Sequence, residues 1–406
     1  MTDTATRSVL VLGGGTRLPR ALRAHGCHVV YGGTLAEFGP GHRDACDEAL
    51  LLSGDDGDAW LDRALALHKS VPFDRVVTVR ERFLTTAARI RDALGLQGDP
   101  LRTVLLLKDK ALMREALADA PGTPAVRAAL MHAPGDLAAF ADRAGLPVVL
   151  KPRDGSGSQG IHILRGAEDV ERAARLVAAM PDALLAEEFL DGPEYSVESF
   201  SRAGEHQVLA VTEKFTGDNA VEIGHVVPAR IDTARHEALV SATRAFLDAV
   251  ALTEGPAHTE IIVTSRGPRV VESHNRPGGD GIIDLVREVT GADVRDLLAA
   301  HVAGVRLPAR SGTAAAAATW FLTAPPGLVT EVTGWEAAAA SPGVVHTDPD
   351  AAPGDTVPEL GGSEDRCGSV IAVGETPDEA LARARAAITE VRVTTRPVPG
   401  EEATAR

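Results

Sequence analysis

The chain has 406 residues, 44% of them hydrophobic and 24% charged, which is an ordinary composition for a soluble globular protein. This length exceeds what one hydrophobic core holds and predicts roughly two to four domains. A formal net charge of −16 argues against a nucleic-acid-binding surface. The three cysteines show neither metal-ligand spacing nor a disulfide framework, as is typical of a reducing cytoplasm. No apolar run is long enough for a signal peptide or a membrane span, so we expect no membrane partner.

The first hundred residues alternate between strand and helix patterns. Ser8–Leu12 is an apolar run that leads into three glycines, and residues 28–31 form a second such run. The glycines lack the full spacing of a dinucleotide-binding loop, because the position of the third glycine holds Leu18. We therefore predict an α/β unit of the Rossmann type whose glycine turn packs plainly or faces a substrate.

Residues 257–280 carry the pattern around which the rest of the chain is best arranged. Two apolar runs, 261–263 and 270–271, flank a Gly-Pro turn and predict a hairpin of two strands. Glu260 begins the first strand and Glu272 ends the second, so antiparallel pairing would bring the two carboxylates together.

Asn275 and Arg276 follow Glu272 by three and four residues. Two carboxylates and an amide oxygen are hard ligands that suit Mg²⁺ when a polyphosphate supplies further oxygens. Arg276 would hold a carboxylate or a developing phosphoryl charge with its forked guanidinium. Taken alone, this stretch fits equally well a solvated hairpin with surface acids.

Two lysines occupy positions that favour an anion nearby. Lys110 lies in the first turn of a predicted helix over residues 108–117, where the helix dipole disfavours a cation. Lys151 ends a predicted strand and precedes the Gly/Ser loop 155–160, whose N–H groups could cradle phosphates. The alternatives are a surface lysine and a plain flexible hairpin. The loop is not a Walker loop, because the lysine precedes the glycines.

A predicted strand over residues 184–190 breaks after Glu187, Glu188 and Leu190, in the manner of a hinge whose backbone pairs with an adenine edge. Glu194, just beyond it, would take ribose hydroxyls. The alternative for both acids is a solvent-facing sheet edge. His225 follows a glycine and is either structural or substrate-facing.

In this order and spacing the segments resemble the ATP-grasp superfamily over about residues 100–395. The segments that carry the resemblance are Asp109-Lys110, Val149-Leu-Lys151-Pro152, the loop 155–160, Glu187-Glu-Phe-Leu190, Gly192-Pro-Glu194, Glu260 and Glu272-x-x-Asn275-Arg276. The chain is most similar to the L-amino-acid ligases, which join a carboxylate to an amine. Gly-His-Val-Val-Pro at 224–228 and a tail with Phe-Leu-x-x-Pro-Pro-Gly and Gly-Glu-Thr-Pro-x-Glu-Ala point to that branch. One departure is His274 before Asn275, where an apolar residue is commoner.

The resemblance implies site residues and cofactors. It assigns ATP and Mg²⁺ (or Mn²⁺ in its place) as cofactors. The residues implied for the nucleotide are Lys110, Lys151, Ser156, Ser158, Gly160, Glu187, Glu188, Leu190 and Glu194. The residues implied for the metal are Glu260, Glu272 and Asn275. The residues implied for catalysis are Arg276, Lys151 and His225.

The resemblance also implies an α/β (α+β) architecture with an ATP-grasp fold. We expect a Rossmann-like pre-ATP-grasp domain over residues 1–103, an ATP-grasp domain over 104–310 with a lid at about 107–183, and a C-terminal α+β domain over 311–406.

The implied activity is a cytoplasmic, ATP-dependent carboxylate–amine ligase that forms an acyl phosphate and releases ADP. Its partners would be small acids and amines, with a homodimer as the expected assembly. The alternatives are activation of bicarbonate or formate on the same fold, and a non-catalytic nucleotide-binding protein.

Overall fold

The computed structural model describes residues 6–118, 120–155, 157–217 and 221–398. The helices are α1 (Arg17–Ala24), α2 (Pro40–Ala45), α3 (Gly57–His68), α4 (Leu84–Leu94), α5 (Leu101–Lys108), α6 (Lys110–Leu117), α7 (Pro134–Ala144), α8 (Ala167–Ala179), α9 (Thr233–Ala249), α10 (Ile282–Thr290), α11 (Val294–Ala303), α12 (Trp335–Ala340) and α13 (Pro377–Ile388).

The strands of the first half are β1 (Ser8–Leu12), β2 (His28–Thr34), β3 (Glu48–Leu52), β4 (Arg75–Thr78), β5 (Ala128–Leu130), β6 (Val148–Pro152), β7 (His162–Leu164), β8 (Leu184–Glu188) and β9 (Glu194–Arg202). The strands of the second half are β10 (Glu205–Thr216), β11 (Glu222–Val227), β12 (Gly255–Thr264), β13 (Gly267–His274), β14 (Ala316–Leu322), β15 (Gly327–Thr333), β16 (Val344–Pro349), β17 (Thr356–Val357), β18 (Gly368–Gly374) and β19 (Arg392–Arg396).

The N-terminal sheet is parallel and has the strand order β3-β2-β1-β4. Its central strand β1 is buried from Val9 to Leu12, as expected for a strand covered on both faces. The apolar runs predicted β1 and β2. They did not predict α2, α3 or β3. Strand β3 was missed because it is only half-buried and its apolar run is short. Beyond the ends of β1 and β4, the turn at Gly14 and the segment at Glu81 reach the candidate site.

A small antiparallel sheet, β5-β8-β6-β7, forms one side of the candidate site. Helices α7 and α8 pack on it, with Leu137, Phe140 and Val177 against Val148 and Leu150. Strands β6, β7 and β8 follow the predicted pattern. The short β5 and the helix α7 were not predicted.

An antiparallel sheet of eight strands forms the other side, in the order β13-β12-β9-β10-β11-β14-β18-β16. Strands β12 and β13 form the predicted hairpin, and Glu260 lies opposite Glu272 in its register. Strands β14, β16 and β18 come from the C-terminal part of the chain and continue the same sheet. Sheet hydrogen bonds therefore join the residues on either side of position 310, and the proposed boundary there stays a prediction. The predicted mixed α/β architecture is confirmed.

Helix α9 covers the β9–β12–β13 part of the large sheet. It buries Leu239, Phe246 and Leu247 against Val197 and Ile261. Each such side chain contributes roughly 1.5–3 kcal/mol through burial. In the part of the chain that the structure describes, neither α9 nor another helix combines the length and apolarity needed to cross a bilayer.

A buried arginine on α6 fastens the small sheet to the large one. Arg114 donates hydrogen bonds to the carbonyls of Val270 and Val271 on β13, each at 2.8 Å. Its Nε donates to Glu187 on β8 at 2.7 Å, and Lys151 lies 2.7 Å from the same carboxylate. Burial by itself raises the pKa of Glu187, but Arg114 and Lys151 outweigh it and lower the pKa from 4.5 to about 2. The two sheets are thus joined through one buried, ionised carboxylate.

This fastening predicts acid sensitivity. Because the pKa of Glu187 is depressed in the folded state, its ionised form stabilises the fold above pH 4.5. That contribution, about 3 kcal/mol, disappears as the pH falls towards 2. In Glu187→Gln the fold should be weaker at pH 7, and its unfolding free energy should change less between pH 4.5 and pH 3. Denaturant titrations at these pH values measure both effects. The exposed Glu237→Gln is the matched control, and equal acid sensitivity of Glu187→Gln and the parent would contradict the assignment.

The connection from β8 to β9 requires glycine at position 192. Its φ is +153°, and a Cβ there would lie 2.1 Å from the carbonyl oxygen of Val263, a backbone atom with no room to move. We expect Gly192→Ala to destabilise the fold by about 1–3 kcal/mol. Thermal unfolding measures this, with Gly166→Ala as control because that Cβ would meet nothing within 4 Å. Equal unfolding temperatures for the two variants would show that the close approach of Gly192 to Val263 does not affect stability.

Candidate active site

A cleft opens between the small sheet and the β12–β13 hairpin. Its apolar walls are formed by Val149, Ile163, Leu190, Ile262 and Val271. Lys110, Lys151 and the carboxylates of both strands of the hairpin lie along its polar side. Such a cleft combines a flat apolar slot with clustered charges, which is an arrangement that suits a nucleotide.

Both predicted lysines are buried in this cleft, which rules out the alternative of surface lysines. Lys110 donates to the carbonyl of Gly155 at 2.8 Å and lies 2.9 Å from Oε2 of Glu272. Burial by itself lowers the pKa of Lys110, but Glu272 outweighs it and the net pKa is raised. Lys151 pairs with Glu187, yet burial dominates and its pKa is lowered. An additional anion beside Lys151 would therefore favour its charged form.

The Gly/Ser loop closes one end of the cleft. Gly160 (φ +70°) and Ser158 (φ +58°) adopt left-handed backbone conformations, and the hydroxyl of Ser158 lies 3.4 Å from Glu222. The carbonyl of Gly157 accepts a hydrogen bond from the N–H of Ser363 at 3.1 Å. The loop therefore touches the C-terminal part of the chain. Ser156, also predicted here, lies outside the described residues.

The predicted hinge lies at the edge of the cleft. Glu187, Glu188, Leu190 and Glu194 all line it. The side chain of Glu188 is tied down by Arg127 at 3.0 Å and Arg266 at 2.8 Å. The carboxylate of Glu187 is engaged by Arg114 and Lys151, as described above. These two acids are therefore held by cations, whereas the prediction allowed them to lie at a solvent-facing edge.

A second, polar cavity adjoins the cleft. It is lined by Gly14 and Glu81 from the N-terminal sheet, by His225 and Arg276 from the central part, and by Arg366 from the C-terminal part. The residues that line both cavities are Gly157, Glu222, Glu260 and Glu272. The carboxylates therefore mark the junction between the two spaces.

Lys214 on β10 lies at this junction among three carboxylates. Its Nζ is 2.6 Å from Glu194, 3.1 Å from Glu222 and 3.0 Å from Glu260. Burial by itself lowers the pKa of Lys214, but the three acids raise it well above its usual value. Lys214 and Glu222 were not among the predicted site residues. The available signal was weak: each is a charged residue at the end of an otherwise half-apolar strand.

The two glutamates of the hairpin are held in the same way. Glu260 has one oxygen 3.0 Å from Lys214 and the other 3.0 Å from Nε2 of His258. Glu272 has one oxygen 2.9 Å from Lys110 and the other 3.0 Å from Nε2 of His274. Burial by itself raises the pKa of Glu260, but Lys214 and His258 lower it to about 2. Both carboxylates are therefore held ionised.

Each histidine has a second acid on its other nitrogen. Nδ1 of His258 is 2.6 Å from Glu198, and Nδ1 of His274 is 3.1 Å from Glu81. Burial by itself lowers the pKa of His258, but Glu198 and Glu260 raise it to about 10. Sequence reasoning missed His258, Glu198 and Glu81. Only the two-residue spacing of His258 to Glu260 and of Glu272 to His274 offered a signal, because it places each pair on one face of a strand.

The predicted metal ligand Asn275 is not part of this cluster, and that assignment is corrected. Glu272 and His274 lie two residues apart on one face of β13, and Asn275 follows the last residue of that strand. Asn275 lines a separate cavity beside Asp99 and Glu254. Its Oδ1 is buried there and has no hydrogen-bond partner in the described chain. The preceding residue, His274, lines the second cavity and contacts Glu272.

Arg276 and His225 both reach the second cavity. Nε of Arg276 donates a hydrogen bond to Glu81 at 2.6 Å. The guanidinium is therefore paired with an acid from the segment that follows β4. His225 is almost fully buried, packs edge-on to Phe321, and has Nε2 3.5 Å from Asp280. Among the predicted residues that the structure describes, all but Gly160 and Asn275 line one or both of the two adjoining cavities.

The carboxylates at the junction fit a divalent cation. Oxygens of Glu194, Glu222 and Glu260 lie within 4.8 Å of one another, and the ammonium of Lys214 lies among them. Glu272 faces Glu260 across the hairpin. Ionised carboxylate oxygens are the donors that Mg²⁺ and Mn²⁺ prefer.

Comparison with known proteins places this architecture in a family. Residues 20–98 match the model of the ATP-grasp N-terminal domain, and residues 144–284 match the ATP-grasp domain. Residues 320–396 match the L-amino acid ligase C-terminal domain 2. The solved L-amino acid ligase of Bacillus licheniformis superposes with a TM-score of 0.80 at 23% identity, covering 96% of this chain and 99% of that one. That likeness shows the fold.

Two curated relatives are ligases of Bacillus subtilis. The alanine–anticapsin ligase of strain 168 is 27% identical over 251 residues, which cover 55% of this chain and 53% of the relative. An L-arginine-specific L-amino acid ligase is 25% identical over 236 residues, which cover 55% of this chain and 56% of the relative. The chain thus spans about half the length of these two relatives. Together, the three matched domains show that the chain belongs to the ATP-grasp superfamily, in the branch of the L-amino acid ligases.

Proposed function

We propose that this protein is an ATP-dependent carboxylate–amine ligase that joins amino acids or similar acids and amines. ATP would phosphorylate the acid, the amine would displace the phosphate, and an amide, ADP and phosphate would result. One observation carries this proposal: Glu222, Glu260 and Glu272 line both the nucleotide-like cleft and the polar cavity. The terminal phosphate of a triphosphate bound in the cleft would therefore lie next to an acid bound in the second cavity. The names of the two curated relatives agree with this class of substrate.

The cleft residues would bind the nucleotide. The adenine would lie between the apolar side chains of Val149, Ile163 and Ile262, against the backbone of the hinge. Lys110 and Lys151 would contact the phosphates, and the lowered pKa of Lys151 provides a driving force for taking up an anion. Release of Lys110 from Gly155 would free the Gly/Ser loop to close over the phosphates.

Glu260 and Glu272 would hold the divalent cation, which, when bound, offsets the negative charge of the phosphate oxygens and of the attacking acid. Both glutamates are already ionised and directed at the junction by a lysine on one oxygen. The lysines would exchange partners, from carboxylate to phosphate, as the nucleotide enters. No covalent nucleophile of the protein takes part in this chemistry.

The second cavity would hold the acid and the amine. Arg276 would bind the carboxylate of the acid, which then takes the place that Glu81 occupies in this structure. His225 would accept a proton from the attacking amine, supported by Asp280. The C-terminal residue Ser363 donates to Glu222 at 3.0 Å and helps to keep water from the activated acid.

A coupled assay of ADP release across all pairs of amino acids, with mass spectrometry of the products, tests this function. We expect ADP release that requires both an acid and an amine, and a product whose mass equals the sum of the two less one water. Bicarbonate and formate should not replace the amino acid. ADP release with either of these, and none with amino-acid pairs, would transfer the proposal to that other substrate class.

The same assay tests the metal carboxylate. Glu272→Gln removes the charge but keeps the size of the side chain, so the fold should persist while turnover falls about 100-fold or more. Thermal unfolding confirms that the variant folds, and Glu237→Gln serves as the control for an exposed glutamate. Near-normal turnover of Glu272→Gln would contradict the role given to this residue.

A further inference from the structure

The site face of the hairpin carries two parallel chains of charged side chains. One chain runs from Glu198 through His258 to Glu260 and ends at Lys214. The other runs from Glu81 through His274 to Glu272 and ends at Lys110. In each, one carboxylate oxygen of the hairpin glutamate meets a lysine, and the other meets Nε2 of a histidine. We call these two sets the first and the second relay.

Each of the two histidines has an acid beside its Nδ1. Glu198 is 2% exposed and also accepts a hydrogen bond from Ser196 at 3.0 Å, so it holds Nδ1 of His258 in one place. The turn after Arg276 packs on this relay, because a Cβ on Gly278 would lie 2.9 Å from Nδ1 of His258. Nδ1 of His274 lies 3.1 Å from Glu81, at ion-pair distance but without hydrogen-bond geometry, and Glu81 accepts a hydrogen bond from Arg276. Nδ1 of each imidazole therefore lies beside an acid, with a hydrogen bond at His258, and Nε2 of each is directed at a glutamate of the hairpin.

The lysine side of each glutamate is the side that a nucleotide changes. Lys110 lines the cleft. Lys214 lines the second cavity, as His258 and His274 do, but its ammonium lies 2.6 Å from Glu194, a residue of the cleft. When a lysine turns to phosphate, one oxygen of its glutamate becomes free to bind a cation. The histidine on the other oxygen then remains as the contact that sets the orientation of the carboxylate. Hydrogen bonds of this kind to ligating carboxylates commonly tune metal affinity.

We propose that His274 and His258 are positioning residues for the cation, acting through Glu272 and Glu260, respectively. This inference rests on the proposed function and deepens it, because it explains which groups hold the metal carboxylates once the lysines are engaged. Of the two adjacent residues, His274 would therefore influence cation binding, and Asn275, the metal ligand expected from the motif, would not.

The test measures nucleotide binding without turnover. Isothermal titration gives the affinity for ADP with EDTA and with saturating Mn²⁺, and the ratio of the two reports the cation site. In His274→Leu we expect this ratio to fall about 10-fold or more, while ADP binding in EDTA stays unchanged. His274→Gln keeps an amide N–H near the position of Nε2 and should recover most of the ratio. Asn275→Ser, at the adjacent residue, which lines a separate cavity, should leave the ratio as in the parent.

The outcomes separate the two levels of the proposal. If Glu272→Gln loses the Mn²⁺ effect and His274→Leu keeps it, the positioning role is overturned and the metal site stands. If Glu272→Gln also keeps the full effect, the proposed metal site itself fails. If His274→Leu does not fold, His274→Gln and His274→Asn decide, because only the longer glutamine reaches Glu272. Equal ratios for these two would overturn the inference.

Discussion

Two glutamates that face each other across one hairpin determine which charged side chains must surround them. Glu260 and Glu272 are register partners, largely buried and both ionised, so they repel each other unless cations are placed beside them. The fold supplies a lysine to one oxygen of each and a histidine to the other. Those cations need acids of their own, and Glu198 and Glu81 meet that need for the two histidines. The charges of one strand pair are therefore balanced by residues of other strands and of the N-terminal part of the chain.

This constraint explains why distant parts of the chain meet at the site. The N-terminal part supplies Glu81, the small sheet supplies Lys151, and the C-terminal part supplies Ser363 and Arg366. Arg114 joins the small sheet to the hairpin and sets the width of the cleft between them. Because each part is attached through buried or partly buried charge, a polyphosphate and its cation would change the very contacts that hold the site together.

Much of the site could be predicted from local patterns. The hairpin, the two lysines and the loop are marked by apolar runs, glycines and charged residues within a few positions of one another. Spacing along the chain did not predict the placement of Asn275, because this residue follows the last residue of β13 and lines a separate cavity. Lys214, Glu222 and Glu198 were missed because each is a single charged residue in a strand, and nothing near it in the chain shows what it will face.

The order of motifs along the chain was enough to determine the ATP-grasp family, the mixed α/β architecture and the position of the hairpin that carries Glu260 and Glu272. These features depend on short-range periodicity and on turn residues, which act between neighbours in the chain. Only the tertiary structure decided which histidines contact the two hairpin glutamates, which acid binds Arg276 and which lysine lies among three carboxylates. Those choices depend on the register of strands separated by tens to hundreds of residues, and on the requirement that every buried charge find a partner.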